Sequence, residues 1–231
     1  MRGGYIKNIK KVKRDEKFAE LIGILLGDGN ICAYKKGRKI RVYTIKIVGN
    51  LKKDKNYIQN YVGPLIKKVF GVKASYYKHN NGIYTVAYGL KIIQVLEKEG
   101  LVAGDKIKNK VTIPSWIFKN KRDLSACIRG LYNTDGCIYE LKTHWPGIYQ
   151  ISFDNRNMIL LKDLKKALEK IGIKSSKIHG KKAPKGTKID ITAKKEVIKF
   201  IEKIGSNNDR LNKKIKEIKR KWKEKEYKES F

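Results

Sequence analysis

The stretch Phe18-Ala-Glu-Leu-Ile-Gly-Ile-Leu-Leu-Gly-Asp-Gly-Asn-Ile31 decides the fold. Apolar residues run through it almost without a break, so a helix here is buried on most sides. Asp15 stands where an N-cap is needed, and Gly27-Asp28-Gly29 is expected to end the helix. The pattern returns later as Leu124-Ser-Ala-Cys-Ile-Arg-Gly-Leu-Tyr-Asn-Thr-Asp-Gly-Cys-Ile138. Again an apolar helix ends in Asp-Gly and runs into a strand, with Asp123 placed to cap its start.

The elements after each helix also repeat. The first is succeeded by strands Asn30–Lys36 and Ile40–Val48 around a Gly-Arg-Lys turn. The second is succeeded by Cys137–Thr143 and Ile148–Phe153 around Trp145-Pro-Gly. A helix then ends at glycine in each half: Asp54–Phe70 before Gly71, and Arg156–Ile171 before Gly172. Two further strands come next. In the first half Ser75–His79 and Ile83–Tyr88 flank Asn80-Asn81-Gly82, a hairpin signal. In the second Ser175–His179 and Lys188–Thr192 flank the looser loop Gly180–Gly186. Helices Leu90–Glu99 and Lys194–Ile204 close the halves, and the segments Asp105–Lys110 and Asp209–Lys214 match in spacing. The chain is therefore expected to be an α+β protein of two pseudo-symmetric αββαββα repeats. The boundaries are residues 1–113 and 122–231, joined by the linker 114–121. Lys213–Lys228 reads as a highly charged, solvated helix.

Composition narrows the partners. Lys plus Arg number 55 against 22 Asp plus Glu, a formal net charge of +33. That charge repels itself unless a polyanion neutralises it, and nucleic acid is the expected partner. No stretch approaches the roughly 20 apolar residues that span a membrane, so a membrane partner is not expected. The basic N-terminal residues lead into no apolar signal core. Cys32, Cys127 and Cys137 are odd in number and form no C-x-x-C pair, which argues against a disulfide framework or a zinc site. The expected location is an intracellular, reducing compartment. His79, His144 and His179 show no metal-type spacing. A His-Asn pair at the C-terminus and a Cys or Ser at the N-terminus are both absent, so a complete intein is not expected; the chain reads as a free-standing product.

The two acids carry the chemistry. A carboxylate at the C-terminal end of an apolar helix faces the negative end of the helix dipole. Two such groups, Asp28 and Asp135, brought together by pseudo-symmetry would repel each other. A divalent cation relieves both problems, and oxygen ligands suit Mg²⁺ or Mn²⁺. The carbonyls of Gly27 and Thr134 are candidate additional ligands, because helix ends leave C=O groups unpaired. Strand alternation supplies a second surface. Ile45, Ile47, Ile151, Phe153, Ile189 and Ile191 are expected to face the helices. That leaves Thr44, Lys46, Gln150, Ser152, Lys188, Asp190 and Thr192 on the opposite face. With Arg38 and Arg41 of the first hairpin, these side chains are candidates for contacting base edges or phosphates.

The nonamers Leu21-Ile-Gly-Ile-Leu-Leu-Gly-Asp-Gly29 and Ile128-Arg-Gly-Leu-Tyr-Asn-Thr-Asp-Gly136 resemble the paired motifs of the LAGLIDADG homing endonucleases, and the tandem arrangement resembles the single-chain members. The resemblance covers nearly the whole chain after about residue 12. It implies a monomer whose motif helices pack at a central pseudo-twofold axis through small residues, here Gly23 and Gly27 against Gly130 and Thr134. It implies antiparallel sheets forming a saddle over double-stranded DNA, and a metal-dependent double-strand break at a long, loosely palindromic target. It also implies basic residues beside the scissile phosphates, for which Lys110 and Lys214 are candidates because they occupy equivalent places. The sixth motif position departs from the family's frequent acid: it is Leu26 in one copy and Asn133 in the other. Some members of the family assist splicing, so an intron-RNA-binding maturase is the alternative, with host intron RNA as a further partner.

Overall fold

The computed structural model describes residues 8–36, 40–143, 145–180 and 187–229, with side chains left out at 35, 36, 40, 41 and 225–229. Helix α1 (Glu16–Leu26) starts at Asp15, whose carboxylate accepts the Phe18 N–H at 3.0 Å. Every α1 residue from Phe18 to Leu26 is buried, as the unbroken apolar run requires. The chain then enters β1 (Gly29–Lys36) and β2 (Ile40–Asn50). A helical segment follows. Its Tyr57–Val62 part is π-helical and passes directly into α2 (Gly63–Phe70). Strands β3 (Ser75–His79) and β4 (Gly82–Tyr88) and helix α3 (Leu90–Lys98) complete the first half.

A short 3-10 turn, Ser115–Lys119, leads into α4 (Lys121–Asp135), the second motif helix. Its cap differs from expectation. Asn120 accepts the Arg122 N–H, while Asp123 lies inside the first turn and is buried. A side chain three residues earlier can reach the free N–H groups, and Asp123 itself has helical neighbours on both sides. Strands β5 (Gly136–Glu140) and β6 (Tyr149–Asn155), helix α5 (Met158–Lys170), strand β7 (Thr187–Ile191) and helix α6 (Lys194–Lys203) follow. Helix α7 (Asp209–Glu229) closes the chain. Gly71 and Gly172, which end α2 and follow α5, both take the left-handed conformation, with φ of 74° and 79°. Glycine tolerates that conformation without a Cβ penalty.

All strand pairs are antiparallel. The first sheet has the order β1-β2-β4-β3 and the second β5-β6-β7. The fourth strand expected at Ser175–His179 does not form. The segment does run beside β7: Ser176 N–H donates to the Asp190 carbonyl, and His179 exchanges backbone bonds with Lys188. Three chain steps separate the first contact point from the second, against two on β7, so the ladder carries a bulge. The Ser176 hydroxyl also takes the Asp190 N–H that a backbone carbonyl would otherwise receive. The expected hairpin loop falls on residues 181–186, outside the described residues.

The core lies between the helices and the inner sheet faces. Ile45, Ile47, Ile151, Phe153, Ile189 and Ile191 are all buried, as alternation predicts. Helix α7 is less solvated than its charge implies. Leu211, Ile215 and Ile218 are buried, and Trp222 meets Tyr149 edge to face. The apolar positions repeat at helical spacing, and the lysines between them hide that stripe from a reading of composition alone. Among the described residues no helix is long and apolar enough to cross a membrane.

Candidate active site

The site begins where α1 and α4 cross. A Cβ on Gly23 would sit 2.1 Å from the Cys127 carbonyl oxygen, and one on Gly130 would sit 2.3 Å from the Glu20 carbonyl oxygen. Glu20 and Cys127 each precede a nonamer by one residue, so these close approaches mirror each other. The next small pair, one turn on, also meets: a Cβ on Gly27 would strike the Thr134 hydroxyl and approach the Asp135 carboxylate. The four small residues expected at the crossing are the ones found there.

Close crossing brings the two acids together. Burial pushes the Asp135 carboxyl up to about 6, and the Asp28 charge adds to the rise. Asp28 keeps one side open to solvent, but protein packed around the other side raises its carboxyl too. Nearby Lys106 lowers both. Asn155 donates to Asp135 at 2.6 Å and fixes its orientation. Two carboxylates that resist ionisation for lack of solvent and for neighbouring negative charge, Asp54 beside Asp28 and Asp28 beside Asp135, are a seat that favours a cation. Among the described residues no cluster of three or more acids, histidines or cysteines exists to hold a metal by itself. Magnesium is suited to such a sparse set, since one or two carboxylates with waters and substrate phosphates complete its shell.

Two cavities lie beside the crossing; Asp28 lines the second, and Asn155, the partner of Asp135, lines the first. The first, of about 470 Å³, is lined by Gly27, Lys106, Asn155, Arg156 and Asn157. Here the Lys106 ammonium donates to the Leu26 carbonyl at 2.9 Å and to the Gly27 carbonyl, at the unpaired end of α1. The Lys106 ammonium thus sits on the carbonyl expected to serve as a further metal ligand. Burial lowers the Lys106 pKa, opposed by Asp135 and Asp28. The second cavity, of about 300 Å³, is lined by Asp28, Asn50, Asp54, Thr134, Asn208 and Arg210. Arg210 donates to Asp54 at 3.2 Å, and Asn208 donates to the same oxygen at 2.9 Å. The Arg210 charge also reaches Asp28.

Lys106 and Arg210 are equivalent positions in the matching segments that begin at Asp105 and Asp209. They occupy the places expected for Lys110 and Lys214. Lys110 is exposed at a positive φ of 50°, and Lys214 reaches the Ile138 carbonyl at 3.4 Å. The repeat holds, but a different residue within it faces the acids. A turn follows Asp105 where a helix follows Asp209, and in both the first residue after the aspartate points back to the acids. The Thr134 hydroxyl bonds within its own helix, to the Gly130 and Leu131 carbonyls.

The outer sheet faces differ between halves. On the first, Lys46 is half-buried and Thr44 is buried beneath its neighbours. Tyr34, Tyr77 and Tyr88 are exposed there, and Tyr77 stacks on Tyr84 with ring centres 4.7 Å apart. Polar alternation does not single out these tyrosines. On the second face the side chains bond to one another. Thr192 donates to Gln150 at 2.9 Å, Gln150 donates to Tyr139 at 2.8 Å, and His179 pairs with Asp190 at 2.8 Å. Ser152 is buried and Lys188 half-buried. Arg38 lies outside the described residues, as does His144; the Arg41 side chain is not described.

Comparison with known proteins agrees with this architecture. Residues 123–205 match the family described as a LAGLIDADG-like domain. The Replication factor C small subunit of Methanocaldococcus jannaschii is 27% identical over 237 residues, covering 87% of this chain. The chain spans only 12% of that relative's length. The solved structure of the homing endonuclease I-DmoI in complex with DNA and Mn superposes with a TM-score of 0.60 at 22% identity, covering 84% of this chain and 98% of that one. The I-LtrWI LAGLIDADG homing endonuclease bound to target DNA gives 0.59 at 15% identity, covering 94% and 92%.

Proposed function

We propose that this chain, whose residues 123–205 match a LAGLIDADG-like domain, is a LAGLIDADG-type site-specific DNA endonuclease that makes a double-strand break in a long, loosely palindromic duplex and works as a monomer. The observation that supports this best is the approach of Asp28 and Asp135 at the helix crossing, both with raised carboxyls, beside two cavities that hold Lys106 and Arg210. Two helix C-termini would not hold two carboxylates against each other for packing alone, because burial and repulsion both oppose it.

The residues present fit a divalent cation, Mg²⁺ or Mn²⁺. Asp28 and Asp135 would hold it, with the Gly27 carbonyl joining only where the Lys106 ammonium gives up that oxygen, and it would supply activation of water and stabilisation of the oxygens at phosphorus. The Thr134 carbonyl, which stands in the second motif where Gly27 stands in the first, would be the equivalent ligand. The chain's own groups do the rest. Asn155 keeps Asp135 aimed inward. Lys106 and Arg210 place positive charge in separate cavities, where each can stabilise a phosphodiester as charge develops. Asp54 holds Arg210 in place. Positioning of the duplex falls to the sheet faces. Lys46, Lys188, Arg38 and Arg41 are suited to phosphates, and Gln150, Asp190 and Thr192 to base edges. Thr44 and Ser152 are buried and reach a base only if their neighbours shift. Because the two faces carry different side chains, the half-sites they read must differ.

The test is to incubate the protein with duplex DNA spanning the uninterrupted version of its host locus, with Mg²⁺ or with chelator, and to map the ends. The expected result is one discrete metal-dependent break. Duplex binding with no break under any divalent cation would remove the endonuclease reading.

A further inference from the structure

A cleft of about 690 Å³ opens on the helix-covered side of the first sheet, away from the proposed DNA face. Its lining is Gly63, Pro64, Ala74 and Tyr76 with Lys10, Lys17, Lys67, Lys68 and Lys73. The strand register fixes which side this is. Tyr76 pairs with Thr85, and Thr85 with Ile47, whose side chain is in the core. Lys46, one residue from Ile47, points the other way.

The floor of the cleft is built. In the π-helical turn the Gln59 carbonyl would be served by the N–H five residues on, but that residue is Pro64, which has none. The Tyr76 hydroxyl donates to the Gln59 carbonyl instead, at 3.1 Å. Gly63 leaves the space, since a Cβ there would collide with the Tyr76 hydroxyl. The tyrosine ring is thereby fixed, still exposed, among five lysines.

Those lysines outnumber the nearby acids: Asp15 lines an adjoining cavity with Lys10, Lys17 and Lys68, and Lys67 and Lys73 do not line it. None of the five has an ion-pair partner among the described residues, and no carboxylate lines the cleft. On the helices of the second half three lysines are engaged. Lys165 pairs with Glu169, Lys199 with Glu196, and Lys203 donates to the Ile171 carbonyl.

We infer that this cleft is a second nucleic-acid site that binds single-stranded RNA, with a base against Tyr76 and phosphates along the lysine rim. A fixed aromatic ring in a positive groove is the arrangement that suits an unpaired strand. A duplex on the saddle face offers no unpaired strand to this side, and RNA is the polynucleotide that carries long unpaired stretches. The site does not rest on the endonuclease reading; it stands or falls separately.

The experiment uses the full chain and a short fluorescent oligouridylate, with fluorescence anisotropy at physiological salt. Parallel arms use the matching deoxyoligonucleotide and a labelled DNA duplex. The variants are Lys67→Gln/Lys68→Gln/Lys73→Gln and Tyr76→Leu, with thermal melting to confirm folding. The expected result is RNA affinity about tenfold or more lower in the triple variant, with duplex affinity changed by less than about twofold. Saturating duplex should leave the RNA bound. Equal losses for RNA and duplex, or displacement of RNA by duplex, overturn a separate site. Equal binding of the deoxyoligonucleotide overturns the assignment to RNA. Should Tyr76→Leu unfold the chain, the lysine variant decides, because its side chains are solvent-facing.

Discussion

The two halves share a framework and differ in what fills it. Around the crossing they are mirror copies: Gly23 lies against the Cys127 carbonyl, and Gly130 against the Glu20 carbonyl. A few ångströms away the copies part. One cavity holds a lysine among carbonyls, with Asn155 and Asn157 beside it. The other holds an arginine gripped by Asp54 and backed by Asn208. The outer faces diverge further, tyrosines on one and a hydrogen-bonded polar row on the other. Backbone contact tolerates no drift, because any side chain there collides with a main chain that cannot move. Cavities and sheet faces tolerate much, and there the halves have become different tools.

The largest effect should come from attacking the shared framework. Gly23→Ala and Gly130→Ala should each cost about 3 kcal/mol or more, and by similar amounts, in denaturant melts. Gly27→Ala should cost less, because it meets a threonine side chain and not backbone. Unequal costs for the mirror pair would break the symmetry of the crossing.

The divergent cavities give the next test. Lys106→Met and Arg210→Met should each slow cutting of one strand by about a hundredfold, and the strands should differ. End-labelled duplex resolves the two nicks. If both variants slow the same strand, the cavities do not serve one phosphodiester each.

The acids give a smaller effect on stability. The Asp135 carboxyl sits at about 6 in the fold against an ordinary value of 3.8. Between those values the folded state binds more protons than the unfolded one, so metal-free stability falls as pH rises from about 4 to 6 and stays lower above. Asp135→Asn removes that penalty and should stabilise the metal-free protein at neutral pH by roughly 1–3 kcal/mol, since a tenfold change in proton affinity corresponds to about 1.4 kcal/mol. Melting curves with and without Ca²⁺ measure it, and Ca²⁺ should help the unmodified chain more than the variant.

The smallest effect concerns the cap of the second motif helix. Asn120→Ala should cost about 1 kcal/mol by thermal melting, because Asn120 and not Asp123 satisfies the first turn.

The order of elements, the buried strand positions and the meeting of Asp28 with Asp135 are legible in the sequence, because periodicity and duplication report on burial and on backbone approach. The role of Lys106 is not. In a chain with 55 basic residues nothing in residue type separates it from Lys110; only the turn after Asp105 aims it at the Gly27 carbonyl. The missing strand at Ser175–His179 has strand-like residues, but a serine hydroxyl and a one-residue bulge break the ladder. Polar alternation points to Thr44 and Ser152 as readers, yet both are covered by larger neighbours that alternation does not count.

The measurement that tests the pairing of the two acids most directly is cleavage of the mapped target duplex by the Asp28→Asn and Asp135→Asn proteins beside the unmodified one, in Mg²⁺ and in chelator. The expected result is a metal-dependent double-strand break that is lost in each variant while duplex binding remains. A break that survives in either variant, or that proceeds in chelator, would contradict a catalytic centre built on Asp28 and Asp135.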